Sequence, residues 1–164
     1  MMSSVHEIIT RRCLLASISK DESGMLGEIF DDVQTRRFLP ELYEMLDSPD
    51  GLLNFVSAFE CYAMNSEGYL WGIRLNDKLA GFIAVMDLAD TPLLFYAMHP
   101  DFRSCGYMKE AICGVLDYLG NEKGIRTIST DVYKENCISA AILQQSGFCV
   151  SREDEQKVYM TRTM

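Results

Sequence analysis

Residues 93–108 read Leu93-Leu94-Phe95-Tyr96-Ala97-Met98-His99-Pro100-Asp101-Phe102-Arg103-Ser104-Cys105-Gly106-Tyr107-Met108. The first six are apolar at both parities, the pattern of a central strand covered on both faces. His99-Pro100 ends that strand. From Gly106 onward, Met108, Ile112, Val115, Leu116 and Leu119 recur at helical spacing, which predicts an amphipathic helix ending at Gly120. A buried strand, a short turn and a helix start together make an anion site. Free N–H groups at a helix N-terminus point outward, and the helix dipole adds about half a positive charge. Gly106 lets backbone approach a ligand closely, and Arg103 can add a charge-assisted contact to a pyrophosphate. One glycine between a strand and a helix equally fits an ordinary tight turn. The Gly-x-Gly-x-x-Gly of a dinucleotide site and the Gly-Lys-Ser/Thr of a Walker loop are both absent.

Working outward, Tyr69, Trp71, Ile73 and Leu75 alternate with Leu70, Gly72 and Arg74, the period of a strand. Asn76-Asp77 tolerates positive φ, so Lys78 to Leu88 is expected to return antiparallel. Upstream, Glu7 to Ile18 reads as one strand around Cys13-Leu14-Leu15-Ala16. Ser19-Lys20-Asp21-Glu22 matches a capping box opening a helix to about Phe30. A second helix is expected around Pro40 to Leu46. A third has Asp47-Ser48 as cap and Pro49 at its first position, with Leu52, Phe55, Val56, Phe59 and Ala63 on its buried face. Downstream come a strand at Ile125–Val132 and a helix at Asn136–Gln145 with Ile138, Ala141 and Ile142 inward. A closing hairpin of Phe148–Val150 and Lys157–Arg162 follows. The order is β-α-α-α-β-β-β-α-β-α-β-β, an α+β (mixed α/β) arrangement.

The 164 residues suit one domain spanning 1–164, with no repeat or linker inside it. Hydrophobic residues make up 48% and charged residues 24%, a globular composition. The net charge of −9, from 24 acidic and 15 basic residues, repels phosphate backbones and anionic lipid, so neither nucleic acid nor a membrane is expected as partner. An acidic surface can steer a cationic amine, and it serves solubility just as well. Cysteines at 13, 61, 105, 113, 137 and 149 form no Cys-x-x-Cys pair and read as reduced, mostly buried thiols. His6 and His99 have no helical i, i+4 partner, and no metal is expected. Met1 to Glu7 lacks the basic start and apolar run of a secretory signal, which points to the cytoplasm.

Arg103-x-x-Gly106-x-Met108 after a strand ending in His-Pro resembles the acetyl-CoA pyrophosphate loop, Gln/Arg-x-x-Gly-x-Gly/Ala, of GNAT acetyltransferases. Asn136-x-x-Ser139 with Gly147-Phe148 is similar to the Asn-x-x-Ala/Ser…Gly-Phe segment of the same superfamily. The likeness runs roughly from residue 8 to 162 and is concentrated in 96–148. His99-Pro100-Asp101-Phe102 and Gly106 to Ala111 look most like the Rim-type ribosomal-protein alanine N-acetyltransferases. The resemblance implies the GNAT fold, with about seven strands in a mixed, largely antiparallel sheet flanked by helices. It implies acetyl-CoA as co-substrate and an amine-bearing acceptor, either a peptide N-terminus or a small molecule, and is compatible with a homodimer. Residue by residue, it implies that the backbone of Tyr96, Ala97 and Met98 pairs with the pantetheine arm. Arg103, Ser104, Cys105, Gly106, Tyr107 and Met108 would hold the pyrophosphate, and Asn136 would bond the arm. A main-chain N–H near Met98 would polarise the thioester carbonyl. The two parallel middle strands, ending at Met98 and near Val132, would splay to receive the tail.

The departures bear on mechanism. Many family members have tyrosine seven residues after the helix asparagine, where it protonates the leaving thiolate; here Leu143 stands there. Ser139 is the nearest substitute, with Tyr133 as another, and a solvated helix-start serine is the plain alternative. Rim-type relatives often carry glutamate where Leu93 stands, so a base must come from elsewhere, Asp87 being one candidate and equally a surface carboxylate. Met108 adds bulk where the loop usually ends in Gly or Ala. Cys105 reads as an inert loop thiol, His99 as a turn residue and Trp71 as sheet packing. An enzyme is the first reading. A GNAT-fold module that binds acyl-CoA without turnover is the second, motivated by Leu93 and Leu143.

Overall fold

In the computed structural model of the protein, which describes residues 5–164, the N-terminal segment is a hairpin of β1 (Ile8–Ile9) and β2 (Leu14–Ala16), not the one strand expected from Glu7 to Ile18. Met1 to Ser4, part of the stretch read for a secretory signal, lie outside the described residues. The chain reverses at Arg11-Arg12, where Thr10 N–H donates to Cys13 O and Cys13 N–H donates to Thr10 Oγ1, both at 3.0 Å. Glu22 accepts from Ser19 N–H at 2.9 Å, as a capping box requires, and a 3-10 turn at Lys20–Glu22 leads into α1 (Ser23–Asp31). The sequence pattern missed α2 (Val33–Phe38). Asp32 caps it by accepting from Thr35 N–H at 3.1 Å, but Val33 to Phe38 carries no apolar stripe to announce it. After a 3-10 turn at Pro40–Leu42 come α3 (Tyr43–Leu46) and α4 (Gly51–Met64). The last begins two residues beyond the expected Pro49, because Gly51 N–H still donates to Ser48 O in the preceding turn, at 3.0 Å.

Strands β3 (Tyr69–Leu75) and β4 (Lys78–Met86) form the expected hairpin, and Asn76 and Asp77 both take positive φ, 49° and 67°. Then follow β5 (Leu93–Met98), α5 (Tyr107–Lys123), β6 (Thr127–Tyr133), α6 (Cys137–Gln145), β7 (Cys149–Glu153) and β8 (Lys157–Thr163). Helix α5 runs past Gly120 and stops at Gly124, whose φ of 67° lets Ile125 N–H turn back to Leu119 O. The sheet has eight strands in the order β1-β2-β3-β4-β5-β6-β8-β7, every neighbouring pair antiparallel except β5 and β6. This is the mixed, largely antiparallel sheet expected, with one more strand because the first divides at its arginines.

Both faces of the sheet are covered. On one, Trp71, Ile73, Ile83 and Leu94 pack under Ile112, Val115, Leu116 and Leu119 of α5 and Leu143 of α6. On the other, Phe82 and Leu70 meet Leu26, Ile29 and Phe30 of α1 and Phe55 and Phe59 of α4. Trp71 is fully buried and donates to His6 O at 2.8 Å, a packing role. The cysteines are free thiols, but contrary to expectation four of them (Cys61, Cys105, Cys137 and Cys149) are exposed. Among the described residues no helix is long and apolar enough to cross a membrane.

Glu110 ties the first hairpin to α5. Its carboxylate accepts from Arg12 N–H at 2.7 Å, from Arg12 Nε at 2.8 Å and from the Thr10 hydroxyl. Desolvation pushes its pKa up, but the bonds from Thr10 and Arg12 outweigh that and bring it from 4.5 down to about 2. A carboxyl depressed in this way stabilises the fold above its unfolded value and loses the contribution as pH falls. Glu110→Gln should therefore lower stability at neutral pH by ~1–3 kcal/mol. In denaturant titrations the gap from wild type should close between about pH 4.5 and 2.

Candidate functional site

Parallel pairing of β5 with β6 has one registered pair, Leu93 with Ser129. Ser129 N–H donates to Pro92 O and the Thr130 hydroxyl to Leu94 O, both at 2.8 Å, and beyond them the strands part. β5 meanwhile stays zipped to β4 from Leu93 to Met98. His99 N–H continues that ladder to Ala80 O at 2.7 Å. Because successive residues of a strand turn their backbone groups to opposite sides, Ala97 also faces β4, opposite Phe82. Only Tyr96 and Met98 turn N–H and C=O toward the gap, which corrects the reading that placed Ala97 with them. A cleft of about 410 Å³ opens there.

The segment leaving β5 heads this cleft. His99 Nδ1 accepts from Asp101 N–H at 3.1 Å and sets the turn, and Ser104 and Gly106 then take positive φ, 64° and 83°. Among the described residues no carbonyl or side chain accepts from the N–H groups of Ser104 to Lys109; the first helical bond is Glu110 N–H to Gly106 O. Six consecutive backbone donors are thus available at the start of a 17-residue helix. Arg12 braces the loop from behind, donating to Cys105 O at 3.0 Å with its guanidinium 4.4 Å from the Tyr107 ring centroid.

Arg103 does not aim at the anion site as expected. Its guanidinium donates to Asp32 at 2.6 Å, to Gln34 Oε1 at 3.2 Å, to the Thr35 hydroxyl at 3.3 Å and to Met98 O at 3.1 Å. It is a strut joining the loop to α2. Cys105 points away from the cleft, exposed, with Sγ 3.4 Å from Arg103 O.

On the other wall, Asn136 Oδ1 caps α6 by accepting from Ser139 N–H at 3.3 Å. Ile142 packs against the core as expected, but Leu143, 1% exposed, joins it while Ile138, 69% exposed, and Ala141 turn outward, so the inward face is rotated from the one expected. Ser139 turns inward as well, and its Oγ lies 2.5 Å from the hydroxyl of Tyr96. Burial raises the Tyr96 pKa to about 12, against a smaller lowering by the Ser139 bond. The sequence reading used only the backbone of Tyr96. Two other candidates stand apart from the cleft: Asp87 is exposed in the turn after β4, and the Tyr133 hydroxyl lies 3.4 Å from Glu41.

The mouth is built by residues the sequence did not single out. Gln34, Thr35, Phe38 and Leu39 line it from α2, opposite Asp131 of β6 and Ile138 of α6. Lys157 bonds Glu41 at 2.6 Å and Asp131 at 3.0 Å, and Arg37 pairs with Glu135, so the α2 segment is tied across the opening to the β6 wall. Among the described residues no group of three or more His, Cys, Asp or Glu is placed to hold a metal.

A family model described as an acetyltransferase (GNAT) domain matches residues 12–149. No curated protein sequence matches the chain significantly. Among solved structures, a GNAT-family acetyltransferase from Bacillus anthracis aligns with a TM-score of 0.81 at 17% identity, covering 96% of this chain and 98% of that one. The ribosomal L7/L12 α-N-protein acetyltransferase RimL in complex with coenzyme A aligns at 0.77 and 12% identity, covering 97% and 98%. The microcin C7 self-immunity acetyltransferase MccE in complex with acetyl-CoA and AMP aligns at 0.72 and 15%, covering 94% and 93%. At such identities these likenesses establish the fold.

The strut makes a prediction distinct from ligand binding. Arg103→Ala leaves the partly buried Asp32 without its cation and should lower stability by ~1.5–3 kcal/mol in denaturant titrations. Arg103→Lys should restore little of it, since one ammonium cannot span Asp32, Gln34 and Met98 O together.

Proposed function

The chain belongs to the GNAT acetyltransferase family, and we propose that it moves the acetyl group of acetyl-CoA to a primary amine by direct attack, its 164 residues acting as one domain. The observation that carries this is the run of unpartnered N–H groups from Ser104 to Lys109 at the head of a gap in the sheet. In this reading those donors hold the pyrophosphate, and the pantetheine arm lies between β5 and β6 as an added strand. Met98 N–H meets the arm first. Tyr96 N–H, nearer the closed end and on the residue whose hydroxyl touches Ser139, then meets the thioester carbonyl and stabilises the charge that develops on its oxygen. The polarising role expected of Met98 thereby moves two residues inward. The side-chain amide of Asn136 reaches the arm from α6.

The acceptor nitrogen arrives neutral, attacks the carbonyl carbon and loses its proton to solvent as the C–S bond breaks. Ser139 gives its hydroxyl proton to the departing thiolate. Holding amine and thioester in line supplies much of the acceleration. A protein N-terminus and a small-molecule amine both suit the reading, in keeping with relatives that carry the names of a ribosomal-protein and a microcin-immunity acetyltransferase. Buried Leu143, where many family members carry a tyrosine acid, favours a second reading, an acyl-CoA-binding module without turnover.

Calorimetry with acetyl-CoA, followed by a thiol-release assay over peptide N-termini and small amines, separates the two. Acceptor-dependent release is expected; tight binding with no release from any amine would establish the module instead. Gly106→Val places a branched side chain at a φ of 83°, its Cβ 3.2 Å from the Arg12 guanidinium, and so distorts the backbone that presents the donors. It should weaken acetyl-CoA binding at least tenfold, about 1.4 kcal/mol, while the circular dichroism stays native. Unchanged affinity would reject the loop as the diphosphate site.

A further inference from the structure

We infer that Tyr96 is a proton-relay residue that positions the Ser139 hydroxyl and replaces its proton as Ser139 protonates the leaving thiolate. The inference rests on the acetyl-transfer reading above and deepens it, because it names the group standing in for the tyrosine that Leu143 displaces.

The geometry leaves few alternatives. Leu143 is buried and apolar, so α6 offers no acid at that position. Thr130 commits its hydroxyl to Leu94 O at 2.8 Å, and Thr35 is held between Asp32 and Arg103. Ser104, Tyr107 and Lys109 belong to the loop and first helical turn at the head of the cleft, and Tyr133 bonds Glu41. Tyr96 and Ser139 remain, both lining the cleft, oxygen to oxygen at 2.5 Å. Among the described residues each hydroxyl has the other as its partner. When the phenol donates to Ser139 Oγ, the serine proton is free to turn into the cleft that both residues line.

The step balances. The C–S bond breaks, its electron pair stays on sulfur, and sulfur takes the Ser139 proton. Ser139 Oγ takes the Tyr96 proton, and the phenolate recovers one from the water that carried away the proton of the attacking nitrogen. With its pKa raised by burial to about 12, the phenol is protonated at the start of every cycle across the neutral range. Serine alone is a poor acid, and a bonded phenol supplies the proton that keeps an alkoxide from accumulating.

The test compares Tyr96→Phe, Ser139→Ala and the double variant in single turnovers with acetyl-CoA and an amine that the wild type accepts. Tyr96→Phe should lower the transfer rate at least tenfold, a part of the ~10²–10⁴-fold that general acid catalysis contributes, and keep acetyl-CoA affinity within about twofold, which also reports a folded site. The double variant should be no slower than Ser139→Ala, because the two hydroxyls act as one unit. Mixed H2O/D2O rates should bend with deuterium fraction in the wild type, as for two protons in flight, and run straight in Tyr96→Phe. A Tyr96→Phe rate within twofold of wild type, multiplicative losses, or a straight wild-type plot would overturn the relay alone. Absence of acceptor-dependent thiol release from the wild type would overturn the relay and the transfer reading together.

Discussion

Where β5 leaves β6, the sheet gives up hydrogen bonds that a parallel pair would normally make. Ser129 N–H reaches Pro92 O and Thr130 Oγ1 reaches Leu94 O, and after that the backbone groups of Tyr96 and Met98 have no strand opposite them. Unpaired backbone polar groups inside a protein are costly unless something else satisfies them, so an open seam in the middle of a sheet asks for water or a ligand with its own donors and acceptors. The rest of the molecule holds that seam open. β4 anchors β5 on one side and β8 anchors β6 on the other, both by full antiparallel ladders, and neither strand can swing across without breaking them.

The chain carries a net charge of −9, yet on the proposed reading it grips a diphosphate. Backbone geometry resolves the tension. Six N–H groups between Ser104 and Lys109 provide a local positive field that needs no lysine, and the nearby arginines hold this loop in shape. Arg12 pulls on Cys105 O from the hairpin side while Glu110 holds Arg12, and Arg103 is locked to Asp32 on the α2 side. Each guanidinium is matched by a carboxylate, so the bracing adds little net charge, and the attraction for an anion falls to the peptide dipoles. The acidic remainder of the surface can then favour a cationic acceptor without repelling the cofactor from its own loop.

The fold was legible where its causes are local. The apolar run Leu93–Met98, the turn at Asn76-Asp77 and the stripe of α5 depend on residues near in sequence, and the strand-loop-helix of the anion site was read from them directly. What escaped depends on distant partners. Helix α2 is fastened by Arg103, 71 residues away from Asp32, and a local pattern cannot contain that bond. The same bond turns the Arg103 guanidinium toward α2, away from the role its place in the motif suggested. The inward face of α6 is set by the packing of Ile142 and Leu143 on the α5 side of the sheet, which the spacing of apolar residues within the helix, favouring Ile138, does not contain. The side chain of Tyr96 was passed over because its partner lies 43 residues on, in another element.

The two ends of the cleft obey different rules, and this bears on how such a site can vary. At the loop the donors are backbone, so the exposed Cys105 side chain can change with little effect provided Ser104 and Gly106 keep their positive φ. At the mouth the contacts are side chains: Gln34, Phe38 and Leu39 on one wall, Asp131 and Ile138 on the other. There a single substitution alters shape or charge directly. The segment carrying that first wall is also fixed by polar links across the opening, Glu41 to Lys157 and Arg37 to Glu135, which are solvent-facing and individually weak. On the proposed reading, a constant grip on one substrate and an adjustable surface for the other follow from one division of labour, with main chain at the loop and side chains at the mouth. Acceptor choice is therefore expected to reside in residues 34–42 and their partners, the stretch whose sequence announced itself least.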